Sequence, residues 1–278
     1  MEHTFGDIDW NKAVWNDKEW SEEGEEWSKK WGSSEAQWIT TILPRIHSFF
    51  PEKRALKQSL ISSQLPKLLF SFIPKNSILE IAPGFGRWTK FLLSYPYRSY
   101  CGIDLASPCI AHCKKRFISY KNCKFFVNDG LSLQAAAYQK YDFIFSFDSL
   151  VHVDLDVLNA YIQQILTQLL TSNGVCFIHH SNFKMTLADS LATLEENPHY
   201  RNPNVSAADV AYLIKQYGGK IICQEIITWG RSPKSDCFTL FSHNASPYNE
   251  RGQFYNLDFN SEAAYSQKIL NTYCNLVK

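Results

Sequence analysis

Residues 78 to 90 read Ile-Leu-Glu-Ile-Ala-Pro-Gly-Phe-Gly-Arg-Trp-Thr-Lys, an apolar strand pattern that runs into a glycine-punctuated turn and then a helix start. A turn of this kind at the carboxyl end of a strand lets a nucleotide-like cofactor come close to the backbone, and close approach needs residues without bulky side chains. Gly84 and Gly86 meet that need. Asp104 ends a second apolar run about 20 residues on, where an acid binds ribose hydroxyls. A dinucleotide fingerprint G-x-G-x-x-G starting at Gly84 would require glycine at position 89, and the chain has Thr89, which argues against the close helix–strand approach of that fingerprint.

A second group of residues could move protons. In an open parallel sheet, ligands bind beyond the carboxyl ends of the strands, and here that rim carries His152 after one apolar run and His179-His180-Ser181-Asn182 at the end of another. Alternation along a strand sends His179 and His180 to opposite faces, so one of them faces the pocket; His180, nearer the strand end, is the preferred one. A neutral imidazole with a pKa near 6.5 suits an acceptor that must lose a proton as it attacks. His152 or His180 is therefore the expected base, with Asp148 and Asn182 orienting it. Arg201 follows in a polar connection, where its guanidinium could hold a carboxylate or phosphate of an acceptor, such as the diphosphate of a nucleotide-activated sugar. A metal site would want several acids converging here; Asp148 and Asp154 are close in sequence, but the next strand offers histidine and asparagine instead, so no required metal is expected.

The elements that must position these groups alternate strand and helix from Ser77 onward, the signature of a parallel sheet with crossover helices. Strands are expected at Ser77 to Ala82, Ser99 to Asp104, Cys123 to Val127, Tyr141 to Phe147 and Gly174 to His180, with helices beginning near Gly86, Ser107, Leu131 and Asp154. Ser107 followed by Pro108 reads as an N-cap with proline at the first helical position. Ser206 and Asp209 form a capping box that starts a later helix. Lys220 to Trp229 and Asp236 to Ser242, joined by a turn with Gly230 and Pro233, predict a final antiparallel hairpin. The expected divisions are a helical extension over 1–75, a catalytic domain over 76–243, and a tail over 244–278 with one helix at Ser261 to Val277.

The extension has an unusual composition. Six of the eight tryptophans (Trp10, Trp15, Trp20, Trp27, Trp31 and Trp38) fall in it, interleaved with Glu22, Glu23, Glu25 and Glu26. So much aromatic surface implies helices docked on the body of the protein, either as a plain extension or as a lid over a pocket. Helical patterns follow at Ser34 to Phe50 and Arg54 to Phe72. Across 278 residues the net charge is +1, from 28 basic and 27 acidic side chains, which gives no general attraction for nucleic acid or anionic membrane. No stretch approaches the ~20 apolar residues that span a bilayer, and the N-terminus lacks a secretion-signal pattern, so a cytoplasmic protein is expected. The eight cysteines are scattered without C-x-x-C spacing and read as reduced thiols.

Glu80, Gly84 and Gly86 followed by Asp104 resemble the first two motifs of class I S-adenosylmethionine-dependent methyltransferases. Ala82 stands where that family's Glu-x-Gly-x-Gly-x-Gly has its first glycine, which implies a slightly displaced loop. Phe-Val-Asn-Asp-Gly (126 to 130) resembles the end of the family's third strand, where the acid matching Asp129 accepts from the adenine amino group; a plain Asn-Asp-Gly turn is the other reading. Tyr141 to Val153 resembles the fourth-strand segment, whose end lines the methionine and methyl side of the pocket, and Leu169 to Val175 resembles the lead into the fifth strand. The resemblance covers roughly residues 76–242. It implies a Rossmann-like fold with a seven-stranded, mostly parallel sheet, a C-terminal antiparallel hairpin and a helical N-terminal extension. The cofactor-binding residues it implies are Glu80, Ala82, Gly84, Gly86, Trp88, Asp104, Leu105, Asn128, Asp129, Gly130 and Phe147.

Segments such as Trp-Gly-Ser-Ser-Glu-Ala-Gln-Trp (31 to 38), Pro-Arg-Ile-His (44 to 47) and His-His-Ser-Asn look like a bacterial subgroup associated with polysaccharide or natural-product pathways. Trp31, Trp38, Asn182 and Arg201 are the expected acceptor-binding residues. The leading expectation is O-methylation of a small polar acceptor, a sugar hydroxyl or natural-product intermediate. Methylation of a peptide or small-acid carboxylate, N-methylation of an amine, and a dinucleotide oxidoreductase or cofactor-binding protein of the same fold stay open.

Overall fold

A computed structural model describes residues 6–16, 37–47, 77–94, 97–197 and 200–261. Helix α1 (Ile8–Asn16) comes first, followed by a π-helical turn at Trp38–Ile42 that continues into α2 (Leu43–His47). The body then alternates: β1 (Ser77–Ile81), α3 (Thr89–Leu92), β2 (Ser99–Asp104), α4 (Ser107–Arg116), β3 (Cys123–Val127), β4 (Tyr141–Ser146), α5 (Leu155–Gln164) and β5 (Leu170–Ser181). Helices α6 (Phe183–Ala188) and α7 (Ala207–Gln216) lead into β6 (Gly219–Trp229), β7 (Ser232–His243) and β8 (Gln253–Asn256).

The strands form one sheet in the order β3-β2-β1-β4-β5-β7-β6-β8. Strands β1 to β5 are parallel, β7 runs antiparallel to both β5 and β6, and β8 pairs in parallel with β6. Among the described residues the sheet therefore has eight strands, one more than expected. The extra one is Gln-Phe-Tyr-Asn, which borrows its order from pairing with the apolar β6 and is itself largely exposed. The tail helix expected at Ser261 to Val277 lies beyond the described residues except for its first position.

Strand β1 is buried along its whole length because helices cover both faces of the sheet, which is why it reads as a continuous apolar run. One face packs Trp38, Ile42 and Ile46 from the N-terminal helices with Trp88, Phe145, Phe177 and Phe238. The other packs Leu158, Ile162, Val210 and Ile214 of α5 and α7 against Leu79, Ile103, Ile144 and Ile178. Arg45 of α2 fastens the first layer, with Nε and an Nη each 2.6 Å from a carboxylate oxygen of Glu225 on β6. Ser206 and Asp209 make the capping box read from sequence. Two local expectations are corrected. The N-cap of α4 is Ala106 rather than Ser107, because Asp104 accepts the Ala106 N–H and places the turn one residue earlier. The helix expected from Leu131 is a single 3-10 turn, Gln134–Ala136. All seven described cysteines are free thiols.

Candidate functional site

The cleft opens at the carboxyl ends of β1, β2, β3 and β4, and α1 closes one side of it. The loop after β1 is built from left-handed residues: Ala82 (φ 58°), Gly84 (φ 55°) and Gly86 (φ 81°). Ala82 thus takes the backbone conformation that suits a glycine, at a cost of ~1–2 kcal/mol, and its N–H bonds to Ile103 O at 2.7 Å. The two glycines do different work. A Cβ on Gly84 would meet nothing within 4 Å, so this is the point where a ligand can lie against the backbone. A Cβ on Gly86 would lie 2.4 Å from the Phe117 ring, so Gly86 serves the packing of the loop on α4 and does not line the cleft.

Asp104 braces the loop, accepting Gly84 N–H at 2.9 Å and Ala106 N–H at 2.8 Å. Burial pushes its pKa up to about 6 against the pull of these N–H bonds, which leaves it ionised at neutral pH. Leu105, Gly130 and Trp88 also line the cleft. Trp88 sits between Trp38, stacked at 6.3 Å, and Phe147, edge-on at 5.3 Å, with the Arg87 guanidinium 4.3 Å from its ring centre. Glu80 is corrected: it lies under the loop, takes hydrogen bonds from Thr89 (2.7 Å) and Tyr100, and does not face the cleft.

Asp129 is corrected too. Its Oδ1 takes Leu131 and Ser132 N–H groups at 2.9 and 2.6 Å in an exposed turn, so the plain turn reading prevails there. The cleft wall is formed by its neighbour Asn128, whose Nδ2 donates to the Tyr161 hydroxyl at 2.8 Å and whose Oδ1 is buried with no partner among the described residues. A buried amide oxygen left unbonded costs ~1–3 kcal/mol, which a ligand N–H donor would recover. This orphaned acceptor and the open space over Gly84 both fit an adenosyl cofactor.

At the end of β4, Phe147 and Asp148 enter the cleft, Asp148 with φ 57°. Behind them is a buried polar network. Asp148 N–H donates to His179 Nδ1 (3.1 Å), His179 Nε2 pairs with Asp236 Oδ2 (2.8 Å), and Arg201 bridges Asp236 Oδ2 (2.8 Å) and Asp148 Oδ1 (3.1 Å). Burial would raise the Asp236 pKa, but Arg201 and His179 hold it well below the usual carboxylate range. Arg201 is therefore no exposed acceptor-binding arginine; it is 3% exposed and committed to two carboxylates.

The strand alternation of His179 and His180 falls the other way from expectation. His179 is on the Asp148 side, while His180 is fully buried on the opposite face with both nitrogens engaged, by Ser181 O and Thr239 Oγ1. Asn182 is likewise spent, donating to Lys234 O and accepting Ala207 N–H. Trp38 is a core residue at 2% exposure that backs Trp88, and Trp31 lies outside the described residues. His152 differs from the other two rim histidines: it is 6% exposed and stands behind the cleft lining rather than in it, Nδ1 bonds Tyr200 O at 2.8 Å, and Nε2 has no hydrogen-bond partner among the described residues. Burial and the Arg201 charge push its pKa down to about 4.

Sequence reasoning offered a lid over the pocket as one role of the N-terminal segment but named none of the α1 residues that line the cleft. Ile8, Asn11 and Trp15 line the cleft, and Trp15 lies 5.2 Å from the His152 ring. The tryptophan enrichment pointed at the segment without singling out Trp15. Ser149 and Tyr161 also line the cleft, and nothing local in the sequence marks them.

Residues 78–174 match the family model described as "Methyltransferase domain". The strand order, with β7 inserted antiparallel, is the one expected of the class I methyltransferase sheet. This chain carries a class I S-adenosylmethionine-dependent methyltransferase domain. No curated protein matches the methyltransferase. Among solved structures it is similar in fold to magnesium protoporphyrin IX methyltransferase (ChlM) from Synechocystis PCC 6803, described with bound SAH, at 13% identity and TM-score 0.51 over 85% of this chain and 94% of that one. It also aligns with the PH0226 protein from Pyrococcus horikoshii OT3 (18%, TM-score 0.49, 72% and 97% covered) and the CcbJ methyltransferase from Streptomyces caelestis (14%, 0.49, 64% and 87%). Among the described residues of the methyltransferase, no helix is long and apolar enough to cross a membrane, and no cluster of His, Cys, Asp and Glu has the make-up of a metal site.

Proposed function

We propose that the enzyme methylates a hydroxyl of a small polar acceptor, such as a sugar or a natural-product intermediate, with His152 as the proton acceptor. The observation that carries this reading is the state of the three rim histidines. His179 and His180 have both ring nitrogens engaged, whereas His152 gives Nδ1–H to the Tyr200 carbonyl and keeps the Nε2 lone pair. With its pKa pushed down to about 4, His152 is neutral at pH 7 and so able to accept a proton, as a weaker base than a free imidazole.

The same proposal assigns the cofactor contacts. Asp104 takes the ribose hydroxyls, the Asn128 carbonyl accepts the adenine amino group, Leu105 and Phe147 supply apolar contacts, and Arg87 meets the methionine carboxylate. S-adenosylmethionine supplies an already activated methyl on a sulfonium. The protein's part is to align the acceptor, exclude water with α1, and accept one proton at His152 Nε2. Commitment of Arg201 to Asp148 and Asp236 removes the side chain that would have held a carboxylate acceptor. An amine acceptor is the second reading, favoured by the Asp148 carboxylate among Trp15, Trp88 and Phe147.

A methyl-transfer screen over sugars, nucleotide sugars, peptides and amines, read by mass spectrometry, identifies the acceptor. With it, His152→Gln is expected to lower kcat by ~10²–10⁴ while leaving cofactor affinity unchanged. Turnover within a few-fold of wild type would remove His152 from the mechanism.

A further inference from the structure

We propose that Asp148, kept only part-neutralised by the Arg201–Asp236 pair, makes the methyl-donor end of the cleft selective for the cationic sulfonium over the neutral thioether product. The inference rests on the cofactor and not on the identity of the acceptor. Asp104 and Asn128, at the ends of β2 and β3, form the nucleoside side of the cleft; the ends of β1 and β4, where Asp148 stands, are left for the sulfonium side.

The charge balance follows from the hydrogen bonds. His179 Nδ1 accepts the Asp148 N–H, so His179 is neutral with its proton on Nε2, facing Asp236. Among the described residues, one guanidinium then faces two carboxylates, and this group carries a net negative charge. Arg201 is shared unequally: Nε and Nη2 both contact Asp236, while only Nη2 is assigned to Asp148 Oδ1. The second oxygen of Asp148 has no partner among the described residues. Ser235 Oγ adds a 2.7 Å bond to Asp236, which further fixes the competitor for Arg201. Asp236 is therefore a positioning residue: it holds the guanidinium back from full neutralisation of Asp148. His152, with its pKa pushed down to about 4, is neutral at pH 7, and Arg87 is the other charged side chain of the cleft lining among the described residues besides Asp104.

S-adenosylmethionine and S-adenosylhomocysteine differ by one methyl and one positive charge, so contacts to adenine, ribose and carboxylate, Arg87 included, cancel in the ratio of their affinities. A carboxylate at near-contact range in a partly buried site is worth on the order of ten- to a hundredfold in that ratio. Such ground-state attraction does not speed the chemical step; it favours loading of the donor and release of the product.

Titration calorimetry on the full chain with S-adenosylmethionine, S-adenosylhomocysteine and sinefungin, whose protonated amine replaces the sulfonium methyl, tests this without an acceptor. Wild type is expected to prefer both cationic ligands to S-adenosylhomocysteine by about tenfold or more. Asp148→Asn, which tolerates the left-handed backbone and can still accept from Arg201, should lose about tenfold on both cationic ligands with the neutral one unchanged. Asp236→Asn should lower the same ratio by freeing Arg201 to pair fully with Asp148. A ratio unchanged in Asp148→Asn, or an equal loss of all three ligands, overturns the proposal, and an unchanged ratio in a folded Asp236→Asn overturns the part given to Asp236. Binding of none of the three by wild type would instead overturn the cofactor assignment, and this inference with it.

Discussion

Gly86→Ala would place a Cβ 2.4 Å from Phe117 Cε2, 2.8 Å from Cζ and 3.4 Å from Cys113 Sγ, on a residue whose φ is 81°. Two costs add: the left-handed backbone of an L-residue, ~1–2 kcal/mol, and overpacking of a close-packed contact, ~1–3 kcal/mol. Phe117 is 4% exposed and stacked on Phe125 at 5.9 Å, so its ring has little room to yield. The expected loss of stability is therefore ~2–5 kcal/mol. Gly84→Ala meets nothing within 4 Å and carries only the backbone cost of ~1–2 kcal/mol, but its methyl projects into the cleft. Urea unfolding should thus rank Gly86→Ala as the less stable variant, and calorimetric titration should rank Gly84→Ala as the weaker binder of S-adenosylmethionine. Adding Phe117→Ala to Gly86→Ala should recover the steric part, seen as a coupling of ~1–3 kcal/mol in a double-mutant cycle. Ala82→Gly, at a residue already left-handed, should leave stability unchanged or raise it by up to ~1 kcal/mol. The reasoning fails if Gly84→Ala is the more destabilised of the two, or if Gly86→Ala unfolds within 1 kcal/mol of wild type, judged against the ~2 kcal/mol lower bound above.

Two further outcomes follow from the same geometry. Asn128→Ala should weaken S-adenosylmethionine binding by roughly tenfold while Asp129→Asn stays within about threefold, because the orphaned cleft oxygen belongs to Asn128 and Asp129 is spent on its own turn; equal effects in a titration would contradict this. Glu80 is pushed up from 4.5 to about 7 by burial, so the folded chain holds this proton where the unfolded chain has released it. Stability should accordingly fall as pH rises between about 4.5 and 7, by up to ~3 kcal/mol, and Glu80→Gln should flatten that part of the pH profile in denaturant titrations.

The parallel half of the sheet is legible because doubly covered strands such as Ser-Ile-Leu-Glu-Ile leave long apolar runs, and the capping box at Ser206 is a purely local signal. Strand β8 is not legible, since Gln-Phe-Tyr-Asn is half exposed and is defined by its partner β6 rather than by its own pattern. Within the site, residues chosen by local spacing, such as Gly84 and Asp104, fall in the cleft. Those whose fate depends on distant partners do not. Arg201 is drawn inward by Asp236, 35 positions later in the chain, and His180 is turned away by Thr239, 59 positions later. Trp15 could be found only as one tryptophan among many until α1 was placed against the ends of the strands.

Calorimetric titration of the wild-type chain with S-adenosylmethionine, S-adenosylhomocysteine and NAD tests the cofactor assignment most directly. The account predicts a single saturable site for the first two ligands, lost or strongly weakened in Asp104→Ala, and no heat of binding with NAD. Saturable binding of NAD with none of S-adenosylmethionine would contradict it.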